Sequence, residues 1–560
     1  MFQIIQSLVS SILQIITPII SKLISWAMSN PFHALAGFVF VQLYSLVLGA
    51  NLSLLGMAVV FCWGAVLYSG IKYLAGGYLA GNLPRLFETT KTKFKQIGEG
   101  QATAAWATET ELHQANLFNP TDLMLGKWSG TAKSDRLVGW QQEGHLLTVA
   151  PTGAGKGVGV VIPNLLTYPG SVVAIDPKGE NYQISSRNRR RMGQAVFRLD
   201  PFSVCCSKRQ AKLNPLDLLD PETEDFADDA LVIADMLVLR TGNEKDPHWD
   251  EKAIMVLQGL IMFVVINAPE KDRHLGEVRR LLTSSGDTWD AVLEMMCEAD
   301  GAIATAANQI TRMAEEEHAS VLSTAMRHTS FLDSPQIVRS LSRSSFDPLT
   351  LKQNNTSLYL ILPADKLATY SRLLRLWIAT TLQVMIKVKS TPQHRVLFML
   401  DEMAQLGTMQ PLVKAISLMR GYHMTLWMIL QDLGQLKSLY PDNLWQTFLS
   451  NSKIQQYFGV TDQETAEYVS KLAGETTVDV TSTTEGRNTG KSRKDFFDNT
   501  NSKGTNRGKT TTEQIRPLLR PDEVRRLPGD EQLIFIQGIA PIWANKLKYY
   551  QDAEFDGLYS

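Results

Sequence analysis

Long apolar stretches come first along the chain, and short ones follow. No residue is charged from Ala34 to Ala50, nor from Leu54 to Ile71. Eighteen helical residues at about 1.5 Å each span about 27 Å, close to the roughly 30 Å of bilayer hydrocarbon. The pattern therefore predicts transmembrane helices over about 34–51 and 54–74. Lys72, Arg85, Lys91, Lys93 and Lys95 follow directly, and such a positive cluster marks the cytoplasmic side. Before them, Gln3, Gln6, Ser7, Ser10, Gln14, Thr17, Ser21 and Ser25 recur at helical spacing. This stripe predicts a helix over about 2–28, either lying on the membrane or spanning it with its polar face against another helix. Residues 1–80 are thus expected to be a membrane region, with the rest of the chain cytoplasmic.

Past residue 80 the apolar runs shrink to strand length. His145–Val149, Ser357–Leu362, Val396–Leu400 and Thr425–Leu430 read as buried strands, the signature of a parallel sheet covered on both faces. Glu531–Gln537 reads as the final strand. Between about 213 and 344 the strand signal gives way to helical spacing, over Asp225–Arg240, His248–Ile266, Trp289–Glu298 and Ile303–Met326. The expected layout is an α/β domain in two parts, 81–212 and 345–560, split by an all-α domain at 213–344. From Thr476 to Thr512 the sequence is Thr, Ser, Asn, Gly, Lys and Arg, too poor in apolar side chains to order itself by burial, so a mobile loop is expected at about 476–512.

Composition narrows this picture. At 560 residues the chain exceeds one core, and 55 Lys+Arg against 56 Asp+Glu give no global basic field, so any contact with nucleic acid must be local. The polar loop offers one: Arg487, Lys491, Arg493, Lys494, Lys503, Arg507 and Lys509 outnumber Glu485, Asp495 and Asp498, with Phe496 and Phe497 among them. That suits a grip on single-stranded DNA, although a solvated linker explains the same composition somewhat better. The four cysteines, Cys62, Cys205, Cys206 and Cys297, have neither metal-ligand nor Cys-x-x-Cys spacing, which points to a reducing compartment and no metal–thiolate site.

The candidate chemistry follows the first buried strand. Ala150-Pro151-Thr152-Gly153-Ala154-Gly155-Lys156-Gly157 lies between strand and helix, as in a loop whose backbone N–H groups wrap a β-phosphate while a lysine reaches the β- and γ-phosphates. Against G-x-x-x-x-G-K-[ST], Ala150 replaces the first glycine and Gly157 the hydroxyl residue. The usual direct Mg²⁺ ligand is therefore missing, and another group or water must fill its place. Roughly 250 residues later, Val396–Leu400 ends at Asp401 and Glu402. Asp401 is expected to hold Mg²⁺ through water, and Glu402 to orient and deprotonate the attacking water, which predicts hydrolysis of ATP. Gln431, ending the next strand, either senses the γ-phosphate or caps its strand. Asp176, Lys178 and Glu180 end another strand facing the same crevice.

With these residues the chain resembles the TraG-type coupling ATPases of conjugation and type IV secretion, RecA-like P-loop proteins. The resemblance runs through APTGAGKGVGVVIPNLL, SVVAIDPKGENY, HWDEKAIMVLQGLI, TSLYLILPADKL, FMLDEMAQLG, MRGYHMTLWMILQDLGQL and IRPLLRPDEVRRLP. It implies an inner-membrane ATPase that assembles as a homo-hexamer and delivers relaxase–DNA complexes, protein substrates or both to a secretion channel, alongside the channel's inner-membrane components and ATPases. It also implies that Arg420 completes a neighbour's site, a role set against the plainer reading of a surface salt bridge. Two other readings stand beside it: a substrate adaptor using nucleotide only to assemble the ring, and a chromosome-segregation or packaging translocase.

Overall fold

The computed structural model of the chain describes residues 102–560 apart from 119, 131–134, 206–209, 240–247 and 494–498. The expected membrane region, 1–80, lies outside the described residues. Among the described residues no helix is long and apolar enough to cross a membrane.

The sheet strands are β1 (Leu123–Trp128), β2 (Arg136–Trp140), β3 (His145–Val149), β4 (Val172–Ile175), β5 (Ala195–Leu199), β6 (Thr356–Leu360), β7 (Val396–Leu400), β8 (Met424–Leu430) and β9 (Ser452–Tyr457). After them, β10 (Glu475–Arg493) and β11 (Asn499–Pro517) form a separate two-stranded sheet, while β12 (Glu531–Ile536) and β13 (Ile542–Asn545) rejoin the main sheet. Among the described residues that sheet has eleven strands in the order β2-β1-β13-β12-β9-β3-β8-β7-β4-β6-β5. From β9 to β5 all neighbours are parallel, and from β2 to β9 they are antiparallel.

Strands β3, β4, β6, β7 and β8 are buried at every position. Helices cover both faces, which is why these segments carry uninterrupted apolar sequence. Because the strands are parallel, the residues that follow β3, β4, β7 and β8 meet at one edge. Glu531–Gln537 is not the final strand as expected: β13 turns back on β12, pairing Leu533 with Trp543. Four residues are too few to raise a periodic signal.

Helices fill the stretch between β5 and β6, with His248–Asn267 buried along most of its length. The helix expected over Ile303–Met326 is two, Gly301–Thr311 and Glu315–Thr329. Ala314 between them is extended, at φ −61° and ψ 150°. The break precedes Glu315, Glu316 and Glu317, whose carboxylates favour a new helix N-terminus over a helix interior.

The expected mobile loop is also revised. Residues 476–493 and 499–512 belong to the β10–β11 ribbon, in register from Glu475 opposite Pro517 to Arg493 opposite Asn499. Composition registers only apolar burial, whereas a ribbon satisfies its backbone groups internally and its β-branched threonines favour extended backbone. At its base the Thr477 N–H donates to the Ala102 carbonyl at 3.1 Å.

Candidate nucleotide site

The loop after β3 is anchored where it leaves the sheet, since the Ala150 N–H donates to the Leu430 carbonyl at 2.9 Å. Gly153 and Gly155 take φ of 83° and 91°, left-handed values that a Cβ would strain. Lys156 then opens a π-helical turn, Gly157–Val161, which runs into the helix Ile162–Thr167. A Cβ added to Gly157 meets no atom within 4 Å.

Buried Lys156 donates from Nζ to Glu402 Oε1 at 3.1 Å. The other oxygen, Oε2, accepts from Gln431 Nε2 at 3.0 Å. Loop, carboxylate and amide thus form one chain across β3, β7 and β8, with β8 lying between the other two strands. Glu402 is held in the left-handed region, at φ 56° and ψ 40°, a strained placement for a residue with a Cβ. The segment beyond it is clamped by Arg375, whose Nη1 donates to the carbonyls of Leu406 at 2.8 Å and Thr408 at 2.6 Å. Arg375 lies on Ala364–Lys387, the helix that follows β6 and departs from helical backbone at Tyr370.

Asp401 and Asp176 supply the negative side. Burial pushes Asp401 up to about 6, helped by the charge of Glu402 and opposed by Lys156 and Lys178. Burial likewise pushes Asp176 up to about 6, opposed by backbone N–H groups of Tyr182, Asn181 and Gly179 and reinforced by Asp401. The Tyr182 N–H donates to Asp176 Oδ2 at 2.8 Å. Two carboxyls whose ionised forms burial disfavours, with the charge of Asp401 adding to the effect on Asp176, suit a hard divalent cation beside a phosphate-type loop. The donor set fits Mg²⁺.

These groups share a cleft of about 640 Å³. Of the expected loop residues, Thr152, Gly153, Gly155, Lys156 and Gly157 line it, together with Asp176, Lys178, Glu180, Asp401, Glu402 and Gln431. Ala154 faces elsewhere: its Cβ packs on Gly459 and its carbonyl accepts from Lys546 Nζ at 2.8 Å. Arg420 lies in the 3-10 turn Met419–Tyr422, before β8 begins. The length of that strand, about 20 Å for seven residues, separates its backbone from Gln431. Sequence reasoning missed Lys546 and Tyr549, the latter lining the cleft; lying some 390 residues beyond the loop in a segment without a motif, they carry no local signal.

The model of the family described as type IV secretory system conjugative DNA transfer matches residues 98–558. Protein VirD4 of Agrobacterium fabrum is 30% identical over 473 residues, covering 81% of this chain and 66% of VirD4. The chain thus spans just under two thirds of that relative's length. The conjugal transfer protein TraG of Escherichia coli is 29% identical over 541 residues, 86% of this chain and 80% of TraG. Among solved structures, plasmid coupling protein TrwB in complex with ADP and Mg²⁺ superimposes with a TM-score of 0.58 at 16% identity, covering 81% of this chain and 97% of TrwB. At that identity the likeness is one of fold.

Proposed function

We propose that this chain, which belongs to the type IV secretory system conjugative DNA-transfer family, is a membrane-anchored ATPase that couples hydrolysis to delivery of substrates into a secretion channel. The observation that carries this reading is the chain Lys156–Glu402–Gln431, closed within one cleft by contacts of 3.1 and 3.0 Å. Thr152, Gly153, Ala154, Gly155 and Gly157 shape the phosphate cradle and Lys156 neutralises the β- and γ-phosphates. Asp401, with Asp176 nearby, holds Mg²⁺, which supplies charge neutralisation on the phosphates. Glu402 takes the proton of the attacking water, and Gln431 fixes the glutamate's orientation from the neighbouring strand.

The active form is a homo-hexamer in which Arg420 serves the adjoining subunit's site. Support comes from its position along the chain: the Met419–Tyr422 turn precedes β8, at the end of that strand opposite Gln431. The cargo is single-stranded DNA carried with its relaxase, protein substrates, or both. The uncharged runs near the N-terminus anchor the chain in the inner membrane beside the channel's own components and ATPases. VirD4 and TraG are similar over most of this chain's length, which supports this assignment.

The test measures ATPase activity and DNA transfer together. Lys156→Ala is expected to lose nucleotide binding, hydrolysis and transfer. Transfer persisting without nucleotide binding would instead favour the adaptor reading, which the absent hydroxyl at Gly157 motivates. Mixing Arg420→Ala with Glu402→Gln subunits is expected to restore part of the activity that each variant lacks alone; no recovery at any ratio rejects a role for Arg420 across the subunit boundary.

A further inference from the structure

We propose that Tyr549 is the platform for the nucleotide base, forming with Ile162 and Ile184 an apolar subsite at the end of the cleft away from the phosphate loop. The proposal rests on reading the cleft as an ATP site and names which part of the ligand its apolar flank receives.

The direction comes from the helix that follows the loop. Val158 and Ile162 lie two and six residues beyond Lys156 and both line the cleft. Four residues apart, they lie on one side of the helical segment, with Ile162 more than a full turn beyond the lysine. The polar groups gather at the strand ends, while this face is apolar. Ile184, on the helix Glu180–Arg191, and Tyr549 line the same cleft. A base offers flat apolar faces, and an aromatic ring meets them by stacking.

Tyr549 is held in place rather than draped across the opening. Leu547 is buried with Ile162, Leu166 and Phe555, and Tyr549 and Ile184 pack against that cluster. Tyr550 and Tyr559 stand nearly perpendicular to the Tyr549 ring, at centroid distances of 5.4 and 5.3 Å. Lys546, three residues earlier, ties the segment to the phosphate loop through the Ala154 carbonyl at 2.8 Å. A Cβ on Gly159 would come within 3.2 Å of the Leu547 carbonyl, so glycine there permits the close approach. The C-terminal segment is therefore built against both ends of the site.

The experiment compares ATP with inorganic tripolyphosphate, which has the phosphates and no base, on the purified full chain. In Tyr549→Leu, which keeps apolar packing and removes the aromatic face, ATP binding is expected to weaken roughly 10-fold while tripolyphosphate binds as to the wild type. Tyr549→Phe is expected to bind both ligands normally. Unchanged ATP affinity in Tyr549→Leu, or equal loss for both ligands, overturns the base platform. Failure of the underlying reading looks different: the wild-type chain would bind neither ligand, or Lys156→Ala would bind both as well as wild type, and the subsite would fall with it.

Discussion

Lys156 Nζ lies 3.1 Å from Glu402 Oε1, an ion pair between groups 246 residues apart. In the proposed roles the ammonium meets phosphate and the carboxylate activates water, so a bound nucleotide would draw the lysine away from the glutamate. Removing the glutamate's charge weakens that competition. Glu402→Gln is therefore expected to bind ATP several-fold more tightly while turnover falls by about 10²–10⁴. Equilibrium titration and steady-state hydrolysis on one preparation check both halves; weaker binding would mean that the pair does not oppose the nucleotide.

Gln431 holds the second oxygen of the same carboxylate at 3.0 Å. Gln431→Ala frees Glu402 to rotate without removing it. Turnover is expected to drop about 10- to 100-fold with ATP affinity nearly unchanged, since a misoriented base loses rate and not ground-state binding. A large rise in KM with kcat intact would place Gln431 on the ligand instead.

The open space beside Gly157 makes the missing hydroxyl testable by addition. Gly157→Ser fits without displacing a neighbour and, in a helical turn, is expected to stabilise the fold by about 0.5–1 kcal/mol. The new hydroxyl stands where a phosphate-loop serine would meet Mg²⁺. Half-saturation of ATPase activity by Mg²⁺ should move to lower concentration, and an unchanged Mg²⁺ curve would show that the cation sits elsewhere.

Asp176 sets a pH dependence whose sign follows from its environment. Its carboxyl is pushed from the ordinary 3.8 up to about 6, chiefly by burial. The ionised form is therefore disfavoured in the folded chain above about pH 6, and the penalty is relieved as pH falls from about 6 to about 4. Two units correspond to at most about 3 kcal/mol. Without nucleotide or Mg²⁺, Asp176→Asn is expected to be more stable than wild type by about 1–3 kcal/mol at pH 8, with the gap closing near pH 4. Denaturant titrations at several pH values measure it; a gap that widens on acidification contradicts the assignment.

How much of this was legible in the sequence depended on how each segment is buried. Strands β3, β7 and β8 could be read almost to the residue because both faces are covered and every position is apolar. Strands β1, β2 and β13 escaped notice, being only partly buried and so lacking an unbroken apolar run. The 476–512 segment misled because its order comes from backbone pairing along β10 and β11, which composition does not record. Lys546 and Tyr549 carry no motif and matter only through what they touch.

The phosphate loop, the Asp401-Glu402 pair and the family are properties of the linear chain, because local residue types at strand ends suffice to specify them. Strand order is not. Only the folded sheet places β8 between β3 and β7, bringing Gln431 to Glu402 and Glu402 to Lys156. It also returns Tyr549 to the cleft. Those juxtapositions depend on long-range packing, where contacts between residues hundreds of positions apart decide the geometry and no short window of sequence encodes them.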